Sequence, residues 1–169
     1  MYWYWIDRFT RFESGKGASA VKAITRAEEH LREHFPFHAI APASLIIEGL
    51  AQTAGLTINE ATRFKKKVVL GKIPNLTFYQ TEIVPGDVLN YDVVLDYVND
   101  EGSMASVSVR RGEELIAEGV LVFAHLGRDF AQQDQFAEGD LEDLVRAYGM
   151  YEVGVDANGE PLKDPSKDR

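Results

Sequence analysis

The chain has 169 residues, of which 45% are hydrophobic, so it is long enough for one domain with a sizeable core. It contains no cysteine, which excludes disulfides, thiolate metal sites and thiol nucleophiles, and its formal charge of -9 argues against nucleic-acid binding, which requires a basic surface. Because no apolar run reaches the roughly 18 residues of a membrane span, we expect no membrane helix or signal peptide, and a cytoplasmic location fits this composition.

The predicted elements begin with a β-hairpin. Strand-forming residues over 2–24 flank a turn cluster at 14–17. Residues 26–34 follow as a short helical turn. Any such helix must end near residue 34, because Pro36 disfavours the helical conformation of the residue before it and lacks an amide donor.

A long helix is predicted from Ser44 to about Phe64, directly after Pro42, with Ser44 as its expected N-cap. Before Glu60 it carries a single charge, Glu48. A helix that is apolar on most sides is buried in the fold.

Four strand-like segments follow, each rich in β-branched and aromatic residues and separated by turn clusters. A hairpin, one buried helix and an antiparallel meander predict an α+β fold in which a sheet wraps around a central helix. The four segments span residues 68–80, 88–98, 103–111 and 115–126.

The acidity of the chain is concentrated near its C-terminus. Residues 1–126 hold 13 Lys and Arg against 16 Asp and Glu, whereas residues 127–169 hold 5 against 11. We therefore expect a folded domain over 1–126 and an acidic C-terminal extension over 127–169. An amphipathic stretch at 141–152 predicts that this extension is partly helical and otherwise disordered.

Three histidines, His30, His34 and His38, are spaced by four residues. On an unbroken helix they would present three metal ligands on one face, but Pro36 interrupts that helix, so we expect no metal site. Ser44 lies outside any GxSxG nucleophile elbow, and a capping role explains it.

Glu48 and His34 are better candidates for chemistry. Burial of an unpaired carboxylate is costly or forces its protonation, so a glutamate in an apolar helix requires an explanation. The alternatives are that Glu48 lies on a wet stripe of the helix and that His34 is a loop histidine bonded to the backbone. Together, beside the free amides of a helix N-terminus, the two residues predict an acid/base site with an oxyanion contact.

The stretch from residue 34 to 52 resembles the motif HFPGxPxMPGxLxxEAxAQ of the beta-hydroxyacyl-acyl-carrier-protein dehydratases, a hotdog-fold family of the thioester dehydratase superfamily. Segments 4–8, 84–89 and 117–124 resemble its flanking motifs, so the resemblance covers about residues 2–126. The matching residues of the main motif are His34, Phe35, Pro36, Pro42, Leu45, Glu48, Ala51 and Gln52.

The resemblance implies a hotdog dimer, possible higher oligomers, and active sites at the dimer interface with histidine and glutamate from different subunits. It implies that His34 removes the α-proton of a beta-hydroxyacyl thioester and that Glu48 assists departure of the β-hydroxyl. The backbone amide of Ala43 would polarise the thioester carbonyl. No metal or redox cofactor is implied.

Further roles follow from the same resemblance. The acyl chain is expected in a tunnel beside the central helix, with Phe35, Phe37, Pro42 and Gln52 at the tunnel or its loop. A basic run becomes a candidate dock for an acidic acyl carrier protein; its other interpretation is a solvated helix end, where cations offset the helix dipole. The run consists of Arg63, Lys65, Lys66 and Lys67.

The chain departs from the motif in the loop that shapes the site. Phe37 replaces a glycine, and three alanines replace the proline, methionine and second glycine of the family at Ala39, Ala41 and Ala43. If the family glycine has a positive φ, Phe37 is expected to obstruct the entrance or to force a different loop path. Gly49, where the family has alanine, is expected to be a mild change.

The retained acid/base pair favours dehydration of acyl-carrier-protein-bound beta-hydroxyacyl thioesters to trans-enoyl thioesters, in fatty-acid or related lipid biosynthesis. The altered loop favours an alternative, a non-catalytic hotdog module that binds acyl chains or acyl carrier protein. A third hypothesis is a hotdog acyl thioesterase in which Glu48 activates water.

Overall fold

The computed structural model describes residues 4–126 and 139–168. In these ranges the chain forms one sheet, three α-helices and two short 3-10 turns, at Glu29–Arg32 and Pro165–Asp168. The helices are α1 (Ala43–Ala61), α2 (Asp140–Ala147) and α3 (Met150–Val153). The strands are β1 (Arg8–Glu13), β2 (Gly17–Ala23), β3 (Lys67–Phe78), β4 (Val88–Val98), β5 (Gly102–Arg111), β6 (Glu114–Leu126) and β7 (Gly154–Val155).

The strands form a seven-stranded sheet in the order β3-β6-β5-β4-β2-β1-β7. Every pairing is antiparallel except that of β1 with β7. The hairpin β1–β2 and the strands β3–β6 both pack around α1, which contacts β2, β3, β4 and β5. Strands β4, β5 and β6 form a meander, but β3 pairs with β6 and not with β4, so the predicted four-strand meander is wrong at its first strand. The predicted α+β arrangement, a sheet around one long helix, is confirmed.

Alternating side chains on β4 illustrate how the sheet encloses the helix. Leu89, Tyr91 and Val93 are all buried, whereas the residues between them are only partly buried. Successive side chains of a strand point to opposite faces, so these three residues form the inner face against α1. The outer face of the same strand remains accessible, for example at Val94.

The start of α1 differs from the prediction by one residue. The helix begins at Ala43, and Pro42 occupies its N-cap position without any side-chain cap. The expectation that Ser44 caps the helix is therefore wrong, because Ser44 already lies within the first turn. Proline fits the beginning of a helix, where its missing amide hydrogen forfeits no helical hydrogen bond.

The helix also ends earlier than predicted. Its last residue is Ala61, and Arg63 and Phe64 adopt positive φ angles of 54° and 56°. Left-handed backbone cannot continue a right-handed helix. The amide of Phe64 instead donates to the carbonyl of Asn59, which closes the C-terminus.

The C-terminal extension contributes to the core. Val145, Tyr148 and Met150 from α2 and its surroundings are buried, and β7 continues the sheet beyond β1. The predicted helical stretch is thus present as α2 and α3, whereas β7 was not predicted. Residues 127–138 and 169 lie outside the described residues, and the domain boundary at 126 stays a prediction.

Among the described residues, no helix is long and apolar enough to cross a membrane. The same part of the chain contains no group of three or more histidine or acidic side chains placed to bind a metal ion. His30 instead lies 3.7 Å from a carboxylate oxygen of Glu28 and packs edge-on against Trp5.

Candidate active site

Two reciprocal hydrogen bonds close the loop that carries His34. The amide of Ile40 donates to the carbonyl of His34 at 2.8 Å, and His34 Nδ1 lies 2.9 Å from the carbonyl oxygen of Ile40. Because a carbonyl oxygen only accepts, this contact assigns the proton of a neutral imidazole to Nδ1. Nε2 then carries the lone pair, which is the form that a general base requires.

Inside this loop, residues 35 to 38 form a tight turn. The amide of His38 donates to the carbonyl of Phe35 at 3.0 Å, and Phe37 has a φ of 67°. Proline at the second position and a positive φ at the third define a type II turn, in which the third position favours glycine. The chain therefore has a phenylalanine at a turn position that favours glycine, and a loop path different from that of the family stays a prediction.

Phe37 is not among the residues that line the candidate site. Its side chain is fully exposed, whereas the neighbouring Phe35 ring stacks on the His34 imidazole with 4.3 Å between ring centres and 25° between planes. Phe37 does not line the site within this chain, and its effect on the entrance stays a prediction. Phe35 covers one face of the imidazole instead.

A groove of about 500 Å³ opens beside His34. It runs between the loop at 34–41 and the extended segment that connects β3 to β4, and a hydrogen bond from the Ala41 amide to the Ile83 carbonyl ties the two together. Its lining residues are His34, Phe35, His38, Ile40, Ala41, Ala43, Thr81 and Glu82. The groove has the size of a small-molecule site.

Ala43 brings the N-terminus of α1 to this groove. The first hydrogen bonds of the helix run from the amides of Leu45 and Ile46 to the carbonyl of Pro42, so the amide of Ala43 precedes the helical ladder. Such an amide lies at the positive end of the helix dipole and suits an oxygen that gains negative charge. The structure therefore places the predicted base and the predicted oxyanion contact in one groove.

Glu48 does not line this groove. Its side chain is exposed, as is that of Ser44 one turn earlier, whereas Gly49 and Leu50 are buried. Within the single chain, the expectation that the Glu48 carboxylate is buried is wrong. The alternative, in which Glu48 lies on a solvent-exposed stripe of the helix, agrees with the structure. The structure of one chain thus brings His34 and Ala43 together but leaves Glu48 on the outside of α1.

His38 and Glu82 form a part of the groove's rim that the sequence did not predict. Their side chains approach to 3.7 Å and both are largely exposed. The two residues are 44 positions apart, so no spacing rule connects them. They give the mouth of the groove a polar, partly acidic edge.

The basic run lies at the other end of α1. Since a helix rises about 1.5 Å per residue, its C-terminus is roughly 28 Å from Ala43. Lys66 pairs with Asp100 at 3.1 Å, Lys67 begins β3, and Arg63 and Lys65 are exposed. The docking role of this run stays a prediction.

Gln52, the last residue of the motif, connects α1 to both ends of the chain. Its Oε1 accepts a hydrogen bond from the Trp5 amide at 2.8 Å and one from the Tyr148 hydroxyl at 3.4 Å. The contact with Tyr148 was missed. The amphipathic pattern around Tyr148 indicated a packed helix but did not identify the surface that it packs against.

Comparison with known proteins places this arrangement in a family. The family model of the FabA-like domain, which describes the sequences of that family, matches residues 2–123, most of the chain. The chain belongs to the FabA-like family. The 3-hydroxyacyl-acyl-carrier-protein dehydratase FabZ of Clostridium kluyveri is 33% identical over 118 residues, which cover 70% of this chain and 82% of that protein.

Solved structures confirm the hotdog fold of this FabA-like chain. The dehydratase heterocomplex ApeI:P from Xenorhabdus doucetiae matches with a TM-score of 0.62 and 13% identity, covering 84% of this chain and 89% of that chain. A putative thioesterase, yhdA from Lactococcus lactis, matches with a TM-score of 0.54 and 15% identity, covering 66% and 79%. At these identities the likeness establishes the fold alone.

Proposed function

We propose that this chain dehydrates beta-hydroxyacyl thioesters carried on acyl carrier protein to trans-enoyl thioesters, in fatty-acid or related lipid biosynthesis. The observation that carries the proposal is the groove in which His34, with its lone pair on Nε2, faces the same space as the N-terminus of α1. The FabZ relatives, which are dehydratases of this class by name, support the same reaction.

In the proposed reaction, Nε2 of His34 removes the α-proton of the thioester. The electron pair of that C–H bond forms the double bond, and the bond between the β-carbon and its hydroxyl breaks. Glu48 delivers a proton to the departing hydroxyl, which leaves as water. The amide of Ala43 stabilises the charge that develops on the thioester oxygen, a contribution that donors of this kind make in many enzymes.

The proposal includes a homodimer, because one chain does not bring Glu48 to His34. Strand β3 lies at an edge of the described sheet, with Leu70 and Ile73 more than one third exposed. An edge strand of this length that exposes apolar side chains between its lysines is suited to pairing with a second copy. In the dimer, the exposed Glu48 of each subunit then completes the groove of the other.

Docking of acyl carrier protein at the basic run is a separate part of the proposal. Charge reversal at Arg63 and Lys65, the two exposed members, should raise the KM for carrier-bound substrate and leave kcat unchanged, since long-range charge acts mainly on association. An unchanged KM would indicate that the basic run is only a solvated helix end and does not dock the carrier protein.

The function is tested by incubating the full-length chain with beta-hydroxyacyl-carrier protein and, separately, with enoyl-carrier protein. We expect enoyl thioester from the first and its hydration in the second. His34→Gln, which keeps a polar side chain but removes the base, should lower turnover by roughly a hundredfold to ten-thousandfold. Lack of turnover in both directions by the unmodified chain would overturn the proposal.

Acyl thioester hydrolysis is the second candidate, because a structural neighbour is named as a putative thioesterase. In that reaction Glu48 would activate water, and free thiol would be released from the substrate. Thiol release that is lost in Glu48→Gln, without any enoyl product, selects this candidate. Binding of acyl-carrier protein without either product selects the non-catalytic module.

A further inference from the structure

Tyr148 of the C-terminal extension is firmly held against the first strand and the central helix. It lies at the C-terminal cap of α2 and is buried. Its carbonyl accepts the amide of Phe9 at 2.9 Å, and its ring packs edge-on against the rings of Tyr4 and Phe9. Backbone and ring are thus both anchored, which leaves the hydroxyl in one place.

That hydroxyl donates to Gln52 Oε1, which also accepts the main-chain amide of Trp5. A main-chain amide only donates, so the Gln52 atom that faces it is the oxygen. Two donors on one side therefore define the orientation of the Gln52 amide.

Gln52 follows Glu48 by one helical turn. Residues four apart on a helix are neighbours, with about 5–6 Å between their Cβ atoms, and glutamine and acidic side chains interact at this spacing. Glu48 itself is exposed, and a glutamine held in one orientation would give its carboxylate one fixed polar neighbour across that turn. Preorganised contacts of this kind preserve the geometry that proton transfer requires.

We propose that Tyr148 is a positioning residue for the active site, acting through Gln52 on the turn of α1 that carries Glu48. This inference rests on the proposed function. Tyr148 lies beyond residues 2–123, which the family model matches, so the contact is supplied by the extension of this chain. In this proposal the C-terminal extension contributes to the active site, and it also protects the edge of β1.

The test is Tyr148→Phe, which removes the hydroxyl and keeps the ring. We expect kcat for dehydration to fall roughly threefold to tenfold, the effect of one hydrogen bond, with KM within twofold of the original value. Tyr151→Phe is the matched control, because Tyr151 is a partly buried tyrosine of the same extension that lies in α3. It should leave kcat unchanged.

A double-mutant cycle with Gln52→Ala separates positioning from packing. If Tyr148 acts through Gln52, Tyr148→Phe should have no further effect on kcat in the Gln52→Ala background. Independent, additive losses would overturn the inference, as would equal losses of kcat in Tyr148→Phe and Tyr151→Phe. The same four proteins can be compared by thermal denaturation. That comparison measures the contribution of the hydrogen bond between Tyr148 and Gln52 to stability, and it does not require turnover of substrate.

The two proposals fail in distinguishable ways. Absence of turnover by the unmodified chain overturns the proposed function, and the positioning role with it. Normal kcat in Tyr148→Phe, measured in an active protein, overturns only the positioning role.

Discussion

The phenol of Tyr91 occupies the space into which a side chain at residue 49 would project. A Cβ built on Gly49 would lie 2.6 Å from the hydroxyl oxygen and 2.6 Å from Cζ of that ring, far inside contact distance. Tyr91 is buried, and burial raises the pKa of its phenol. The glycine that replaces the family alanine is therefore not a mild change, because this chain requires it next to Glu48.

Alanine substitutions at the two glycines of α1 should have opposite effects. Gly49→Ala should destabilise the fold by about 1–3 kcal/mol through overpacking, even though alanine favours helix. Gly55→Ala should stabilise it by up to about 1 kcal/mol, since the nearest atom to its added Cβ, on Phe123, is 3.8 Å away. Thermal denaturation of both variants measures the difference, and equal stability would contradict the steric argument.

Mixed dimers test whether each site takes His34 and Glu48 from different subunits. His34→Ala and Glu48→Gln should each be inactive alone. When the two are unfolded and refolded together, half of the dimers are mixed, and one site of each mixed dimer has both residues intact. Activity should therefore return to about a quarter of the original value. If both residues act within one chain, mixing restores nothing.

Phe37→Gly should stabilise the loop that carries His34. A non-glycine residue with positive φ costs roughly 1–2 kcal/mol, and the exposed ring of Phe37 offers little burial in return. Phe37→Ala is the control, because it removes the ring but keeps the strained backbone. The glycine variant should denature at a higher temperature than the alanine variant. If the ring of Phe37 contacts substrate or a partner, both variants should lose activity to the same extent.

Glu60 makes the stability of the fold depend on pH. Burial raises the pKa of its carboxyl above the ordinary value, against the opposing hydrogen bond from Ser14 and the charge of Arg63. The native chain therefore binds this proton more tightly than the unfolded chain, so ionisation destabilises the fold above the raised pKa. This destabilisation disappears as the pH falls below about 4.5, which is the ordinary pKa of a glutamate carboxyl.

Glu60→Gln should accordingly raise Tm at pH 8, by roughly 2–4 °C for each kcal/mol removed. The gain should shrink as the pH falls and should be absent near pH 4. Glu113→Gln, at an exposed site in the β5–β6 turn, is the control and should change Tm at neither pH. A gain that is constant with pH would assign the effect to packing and not to the buried charge.

Much of the architecture was accessible from the sequence because the signals are local. Alternation along β4, the turn clusters and the apolar run of α1 each depend on residues within one element. The motif from His34 to Glu48 identified the candidate pair, whereas the structure of one chain leaves Glu48 outside the groove that His34 lines. Errors at the helix ends arose where one proline and two left-handed residues decide the boundary.

The sequence by itself determined the order of the elements, the family and the candidate acid/base pair, since these depend on residue types and short spacings. Only the tertiary structure decided that Glu48 faces outward and that Phe37 does not line the groove. It also joined Tyr148 to Gln52 across 96 positions and placed Tyr91 against Gly49. The physical reason is that exposure and contact depend on which distant surfaces pack together, whereas periodicity records only the shape of each element.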